Sequence, residues 1–204
     1  MAKGERTRRD IIDHAFALAQ EAGLEGVSLG VLASHAGLSK SGLFAHFKSK
    51  EALQLCVLDE AAERFAATVM RPAFQQPRGE PRVRALFEHF LRWKGEENLS
   101  GCIFMALSYE YDDRPGLIRD RLVDGLRNWH DTIRRVAQAA VEEGAFCADL
   151  DTDLFAFEFQ GIVMSHHHAT RLLELAQATR LNVAAFEALL DRSRAVSPST
   201  TPPR

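Results

Sequence analysis

Cysteine is scarce in this chain, and long apolar runs are missing from it. The three cysteines, Cys56, Cys102 and Cys147, stand at unrelated spacings, which argues against a disulfide framework and against a paired-cysteine metal site. No run of about 18 apolar residues occurs, so no membrane span is expected. The opening segment MAKGERTRRD has no apolar signal region, and we therefore expect a cytoplasmic protein.

Catalytic motifs are missing as well. The sequence contains no HExxH zinc motif, no GxSxG nucleophile elbow and no glycine-rich phosphate loop, so nothing in it supports an enzyme. No alternating strand pattern or internal repeat stands out, and the apolar residues recur at helical spacing, which predicts an all-α fold. A chain of 204 residues, 46% hydrophobic and 26% charged, is long enough to bury a sizeable core.

The net charge is small, at −3, but it is unevenly distributed. Residues 1–50 carry seven Lys or Arg against five Asp or Glu, a net charge of +2 that leaves −5 for the remainder. A protein that binds DNA need not be basic overall, but its positive charge must then be concentrated. The asymmetry is modest and favours a nucleic-acid-binding N-terminal part.

The most informative segment is SLGVLASHAGLSKSGLFAHF, residues 28–47. Ser28 and Ser39 are the predicted N-caps of two short helices, and Gly37 stands where the first would end in left-handed backbone. The inward side of the second helix is predicted to be Leu43 and Phe47. Two short helices joined by a tight turn are typical of a helix-turn-helix.

The outer side of the second helix carries side chains that suit a DNA major groove: Lys40, Ser41, Phe44 and His46, around Gly42. Short donors, a cation, a flat ring and an imidazole can reach base edges and phosphates. A glycine inside a helix costs about 1 kcal/mol relative to alanine, and a close backbone approach to a partner would explain it. The alternative is an ordinary surface helix that Gly42 destabilises locally.

Basic side chains flank this motif. Lys48 and Lys50 border Ser49, the predicted N-cap of the next helix. The helix dipole disfavours cations there unless a phosphate docks on the same helix end. Arg8 and Arg9, near the start of the first predicted helix, could also reach phosphate. Solvated side chains are the alternative in both cases.

Together these residues resemble the DNA-binding domain of TetR-type bacterial transcriptional regulators. The resemblance covers about Glu5 to Phe65 and is carried by Ile11, Ala15, Phe16, Gly23, Val27, Ser28, Leu32, Ala33, Gly37, Ser39, Gly42, Leu43, Phe44, His46, Phe47, Ser49, Lys50, Glu51 and Leu53. The predicted DNA-contacting set is Arg8, Ser28, Ser39, Lys40, Ser41, Gly42, Phe44, His46 and Lys50. The family usually has a tyrosine where this chain has Phe44, so a tyrosine-type phosphate hydrogen bond is lost.

We divide the chain into a TetR-type DNA-binding domain at 5–65, with its helix-turn-helix at 28–47, a C-terminal helical domain at 66–195, and a disordered tail at 196–204. About nine helices are predicted. The first begins at a capping box of Thr7 and Asp10 and is stopped by Gly23. After the helix-turn-helix, the others span about 50–70, 82–94, 102–111, 117–143, 153–178 and 183–193.

The last two predicted helices, about 153–193, are implied by the resemblance to form a homodimer. The first of them is apolar nearly all round, from Leu154 to Met164, so it must be covered on more than one side. A two-fold four-helix interface would place two DNA-reading helices about 34–36 Å apart on a palindromic double-stranded operator.

Aromatic and polar residues of the C-terminal part are candidates for a small-molecule pocket: Phe90, Trp93, Phe104, Met105, Trp129, Phe159 and His166. A filled core is the alternative for each of them. His166 to His168 cannot all bind one metal, because successive helix residues point about 100° apart, and we assign no metal, cofactor or catalytic residue.

The resemblance implies that a small-molecule effector of unknown identity shifts the spacing of the two DNA-reading heads. We therefore expect a homodimeric transcriptional repressor that its ligand releases from the operator. The alternative is a helical small-molecule-binding or metal-dependent enzyme that has kept a degenerate DNA-binding head.

Overall fold

The computed structural model describes residues 3–35, 39–95 and 102–195. Within these ranges the chain is helical, and its β pairing is limited to an isolated antiparallel bridge between Phe146 and Arg194. The all-α prediction is therefore confirmed. Across the same ranges, no helix is both long enough and apolar enough to cross a membrane.

The helices follow one another without intervening strands over the described residues. They are α1 (Lys3–Gly26), α2 (Leu29–His35), α3 (Lys40–His46), α4 (Lys50–Phe65), a π-helical turn (Ala66–Met70), α5 (Arg71–Phe74), α6 (Glu80–Gly95), α7 (Ile103–Glu110), α8 (Leu117–Glu142), α9 (Thr152–Arg171) and α10 (Ala178–Ser193). The predicted helix at 50–70 thus corresponds to α4 and the π turn, and the chain stays helical to Phe74.

The first helix is interrupted where the sequence predicts its end. Gly23 has φ +73°, a left-handed conformation that glycine adopts without a Cβ penalty. The predicted start at Thr7 is wrong, because α1 begins at Lys3 and the supposed capping box of Thr7 and Asp10 lies inside it. Glu5 stands in the first turn instead, where the helix dipole favours an acid.

The serine caps are confirmed at all three predicted positions. The hydroxyl of Ser28 accepts a hydrogen bond from Val31 N at 3.2 Å, and that of Ser39 accepts one from Gly42 N at 3.0 Å. Ser49 accepts one from Ala52 N at 3.0 Å, at the start of α4. These bonds satisfy amide groups that a helix start leaves without partners. The predicted turn glycine, Gly37, lies outside the described residues, as does the predicted disordered tail.

The chain divides into two compact units, Met1–Arg71 with Phe90–Arg127, and Pro72–His89 with Asn128–Arg204. The core of the first unit gathers apolar side chains from α1, α2, α3, α4 and α7. Among its buried members are Ile11, Phe16, Leu24, Leu32, Leu43, Phe47, Leu53, Val57 and Leu107. This core holds the two short helices against α1 and α4.

The second unit is built around phenylalanines of α6, α9 and α10. The rings of Phe87 and Phe186 stack with centroids 3.8 Å apart, and Phe159 meets both edge-on. At the end of the same unit, Glu80 accepts hydrogen bonds from Arg84 and from Arg194. This ionic cluster ties the start of α6 to the residue that follows α10.

The predicted bounds of the last two helices are wrong. Helix α9 ends at Arg171 rather than near Ala178, and α10 begins at Ala178 rather than Val183. Between them, Glu174 has φ +49°, which breaks the helix at a residue other than glycine. No glycine or proline occurs at 172–177, so the break has no local sequence signal.

Candidate nucleic-acid interface

Helix α3 has one buried side and one side open to solvent. Leu43 and Phe47 are 0% and 2% exposed, which confirms them as its inward residues. On the other side, Ser41 is exposed and His46 is half-buried. The side chains of Lys40 and Phe44, which belong to the same predicted outer surface, lie outside the described part of the chain.

Gly42 lies against the N-cap of α3. Its amide donates to Ser39 Oγ, which also lies 3.1 Å from Ser41 Oγ. A Cβ at position 42 would lie 3.2 Å from that same cap oxygen, a tight contact. Val31 and Ala52 stand at the same position after Ser28 and Ser49 and donate the same bond, so the cap does not require glycine. The approach of Gly42 to DNA stays a prediction.

Arg8 joins α1 to the end of α3. Its guanidinium lies over the ring of Phe47, with Cζ 5.0 Å from the centroid, and its Nη2 lies 3.0 Å from Cys56 Sγ on α4. The side chain is exposed. A cation held in this way stays accessible beside the helix that the sequence predicts to read DNA.

Lys50 has a partner that the sequence did not predict. Its Nζ lies 2.8 Å from Glu25 Oε2 and 3.0 Å from the carbonyl oxygen of Glu25. This hydrogen bond holds the pKa of Glu25 below its usual range. The ammonium group therefore contacts the end of α1, after the interruption at Gly23, whereas Lys48 is exposed.

The end of α7 holds the same end of α1 from another side. The Glu110 carboxylate accepts hydrogen bonds from Leu24 N at 3.2 Å and Glu25 N at 3.0 Å. The phenolic hydroxyl of Tyr111 donates to Glu25 Oε1 at 3.1 Å. A Cβ on Gly23 would lie 3.0 Å from Glu110 Oε2, so glycine permits this close contact.

We call these five residues, Gly23, Leu24, Glu25, Glu110 and Tyr111, the α7 latch. Sequence reasoning missed it, because Glu110 and Tyr111 belong to no motif and lie about 86 residues from their partners in the chain. Gln54 supports the latch from α4 by donating to Leu24 O at 2.8 Å. The latch fixes the chain immediately before the helix-turn-helix.

The predicted ligand-lining residues fall into two groups, one in each compact unit. In the first unit, the rings of Phe90, Trp93 and Phe104 each meet Phe65 edge-on, with centroids 5.8 to 6.1 Å apart. Met105 is buried on α7 beside Phe104 in sequence. Phe65 was not among the predicted residues, although it belongs to the apolar stripe of the predicted fourth helix.

In the second unit, Trp129 and Phe159 meet with centroids 6.2 Å apart. Trp129 Nε1 donates to Gln160 Oε1 at 2.9 Å, which satisfies the buried indole. His166 is 9% exposed on α9. That the two groups share one ligand cavity stays a prediction. Over residues 3–35, 39–95 and 102–195, no three His, Cys, Asp or Glu side chains are grouped to hold a metal ion.

Comparison with protein families decides between the two functions left open by the sequence. Residues 11–55 match the profile described as bacterial regulatory proteins, tetR family, and residues 79–186 match the tetracyclin repressor-like C-terminal domain. The chain belongs to the TetR family. The second match alone spans more than half of the chain.

Solved structures agree with this assignment. A TetR transcriptional regulator from Chloroflexus aurantiacus J-10-FL is 26% identical, with a TM-score of 0.81 over 96% of this chain and 100% of that one. A TetR-family regulator from Cytophaga hutchinsonii has a TM-score of 0.84 at 18% identity, over 97% and 99% of the two chains. AibR, in complex with isovaleryl coenzyme A and operator DNA, has a TM-score of 0.68 at 21% identity, over 87% and 97%. A comparison with curated proteins finds no match.

This TetR-family protein is a DNA-binding transcriptional regulator, as the sequence resemblance implied. The comparisons give no support to the enzyme alternative. The structure adds the local geometry, in which α3 is capped, anchored by two buried residues and open on its opposite side.

Proposed function

We propose that this TetR-family protein is a homodimeric repressor that reads a palindromic operator with α3 and leaves it when a small molecule binds. The observation that carries the proposal is the orientation of α3, which buries Leu43 and Phe47 and exposes Ser41. A short helix oriented in this way can enter a major groove. The protein would act on chromosomal DNA in the bacterial cytoplasm.

The DNA contacts divide by their chemistry. Ser41 and His46, with Lys40 and Phe44, would reach base edges or adjacent phosphates from α3. Ser28, Ser39 and Gly42 lie at the starts of α2 and α3, where backbone amides attract phosphate. Arg8 would supply charge from α1. Lys50 can contact phosphate only if its ammonium group leaves the Glu25 carboxylate or binds both groups at once.

The surface of α9 supports the proposed dimer. Leu154, Phe157, Met164 and Leu172 are all exposed, and Phe157 is 72% exposed. Their spacings of three, seven and eight residues place them along one side of α9 and of Leu172, the residue that follows it. Leu181 continues this apolar surface onto α10. A second copy would cover it with the same two helices in a four-helix interface.

We propose that ligand binding changes DNA binding through a movement of α7. This helix carries Phe104 in the aromatic group around Phe65 and ends at Glu110, which holds the α7 latch. A ligand that repacks Phe104 would move Glu110 and so the end of α1, which precedes the helix-turn-helix. The ligand must bind the two states with different affinities for this to change DNA binding.

The aromatic lining favours an apolar effector. AibR, which was solved with both isovaleryl coenzyme A and operator DNA, is a precedent in this fold for one chain that binds both kinds of molecule. For this chain we propose an effector that has an apolar part.

Selection of binding sites from a randomised DNA duplex library tests the proposal. We expect the full-length protein to enrich a palindrome, with half-sites whose centres are about 10 bp or a multiple of that spacing apart. Enrichment of a single half-site would contradict the dimeric reading mode. Failure to enrich any sequence would contradict specific operator binding.

A further inference from the structure

The groove between α9 and α10 contains a buried polar group that lacks a partner. The groove has a volume of about 550 Å³. Asn182 of α10 lies in its wall and is 5% exposed. Its Nδ2 has no hydrogen-bond partner among the described residues. Buried amides in folded proteins nearly always have one, so the group that fills this groove should bring an acceptor.

The walls of the groove leave room for side chains of another helix. Six of its lining residues are small: Gly161, Ser165 and Ala169 on α9, and Ala178, Ala185 and Ala188 on α10. Small side chains form a depression into which a ridge of a neighbouring helix can pack. The exposed Leu154, Phe157 and Met164 of α9 border this depression in sequence, so its occupant should also cover this apolar surface.

The charges of the groove suit a second copy of the chain. Arg192 donates to both carboxylate oxygens of Glu158, at 3.1 Å each, so these charges are paired within one protomer. In a two-fold interface each surface meets an identical one. Near the two-fold axis, a charged residue in the place of Asn182 would face its own sign, whereas an amide both donates and accepts.

We propose that Asn182 is a recognition residue of the homodimer. Because Nδ2 is inaccessible in the isolated chain, the side chain turns about its Cβ–Cγ bond on association. Its amide then donates to an oxygen acceptor in the groove of the second copy, and this bond fixes the register in which the two copies join. The inference rests on the proposed dimer and deepens it. A single buried asparagine fixes register and oligomeric state in the same way in coiled coils.

The first test is the dimer dissociation constant of full-length Asn182→Leu, measured by sedimentation equilibrium. Leucine keeps the size of the side chain but leaves the acceptor of the other copy unsatisfied. We expect the constant to rise about tenfold or more. The matched control is Asn128→Leu, at an exposed position of α8, which should leave the constant unchanged.

The opposite outcome overturns the inference. If the amide has no partner across the interface, leucine removes an unsatisfied polar group, and the variant dimerises as tightly as the wild type or more tightly. A wild-type protein that stays monomeric would overturn the proposed dimer together with this inference. A dimeric wild type with an insensitive Asn182→Leu variant would overturn the inference alone.

Asn182→Asp keeps the test decisive if the leucine variant does not fold. Its carboxylate cannot donate at neutral pH, but the protonated carboxyl can. We expect weak dimerisation at pH 7.5 and recovery toward the wild type at pH 5; no recovery overturns the inference. The wild type is measured at each pH, because Glu158, His166 and Arg192 also line the groove.

Discussion

The phenolic hydroxyl of Tyr111 donates a hydrogen bond to Oε1 of Glu25 at 3.1 Å. Tyr111 follows α7, whereas Glu25 lies just before the helix-turn-helix, 86 residues earlier in the chain. The other oxygen of the same carboxylate lies 2.8 Å from Nζ of Lys50, at the start of α4. Glu25 thus joins three elements of the first compact unit around the proposed DNA-reading head.

Tyr111 should make the protein sensitive to alkaline pH. Burial, and then the bond to Glu25, raise the pKa of Tyr111 above its usual 10.0. Because the pKa is higher in the folded state, this contribution to stability is complete below about pH 10 and is lost as the pH rises further. The wild-type free energy of unfolding should therefore fall more steeply above pH 10 than that of Tyr111→Phe.

Urea unfolding between pH 8 and 11 measures this difference. Tyr109→Phe is the matched control, because Tyr109 is 68% exposed, and it should follow the wild type. Parallel curves for the wild type and Tyr111→Phe would contradict the assigned bond. At neutral pH, Tyr111→Phe should lower the free energy of unfolding by about 1 kcal/mol, the value of an ordinary hydrogen bond.

Releasing Lys50 from Glu25 should strengthen DNA binding. The pair is partly exposed, at 39% and 52%, so Glu25→Gln should gain at most about 1 kcal/mol, or about fivefold in affinity. Lys50→Gln should weaken binding and reduce the salt dependence of log K by about 0.9. Both affinities are measured by fluorescence anisotropy with operator DNA.

Glu21→Gln is the control for the loss of one negative charge, since Glu21 is exposed on α1. An equal gain in Glu21→Gln and Glu25→Gln would assign the effect to net charge. An unchanged salt slope in Lys50→Gln would show that this lysine has a structural role and no phosphate contact.

Two substitutions of Ser39 separate helix capping from DNA contact. Ser39→Ala loses the bond to Gly42 N and should cost about 1 kcal/mol of stability. Ser39→Asp can retain the cap, so its thermal unfolding should match the wild type. Its carboxylate would repel phosphate, however, and operator affinity should fall.

The control for Ser39→Asp is Gln138→Glu, which adds the same charge at an exposed position of α8. It should leave operator binding unchanged. If Ser39→Asp binds the operator as tightly as the wild type, Ser39 caps α3 and does not face the DNA backbone.

The Glu80 cluster should set part of the acid stability. Hydrogen bonds from Arg194 and Arg84 lower the pKa of Glu80 from 4.5 to about 2. Since the pKa is lower in the folded state, this stabilisation is present above pH 4.5 and is lost as the pH falls toward 2. Glu80→Gln should cost about 1.5 to 3 kcal/mol at pH 7, the range for hydrogen bonds to charged groups.

Chemical unfolding at pH 7 and at pH 3 measures this cost, which should shrink at the lower pH. Glu142→Gln is the control, because its pair with Arg78 is more than half exposed and should contribute less than about 1 kcal/mol. A cost for Glu80→Gln that does not change with pH would contradict the lowered pKa.

Local features of the fold were predictable from the sequence, and contacts distant in sequence were not. The serine caps and the burial of Leu43 and Phe47 follow from spacing within one or two helical turns. The bonds of Glu110 to Leu24 and Glu25 cross about 85 residues. Neither partner carries a motif, so only the folded chain reveals the α7 latch.

The same distinction explains the errors at helix ends. Gly23 marks an interruption because glycine signals left-handed backbone. The break between α9 and α10 occurs at Glu174, in a leucine-rich segment that resembles a continuing helix. Phe65 was visible as part of an apolar stripe, but its place at the centre of three rings depends on how α4, α6 and α7 pack.

The most direct test of the central claim is binding of the purified protein to DNA flanking its own gene, against scrambled DNA, across a salt series. We expect tight binding to the flanking DNA alone, weakening steeply with salt as phosphate contacts are lost. Ser41→Glu, on the exposed side of α3, should abolish the preference. Equal and weak binding to both DNAs, unchanged in Ser41→Glu, would contradict sequence-specific reading of this DNA by α3.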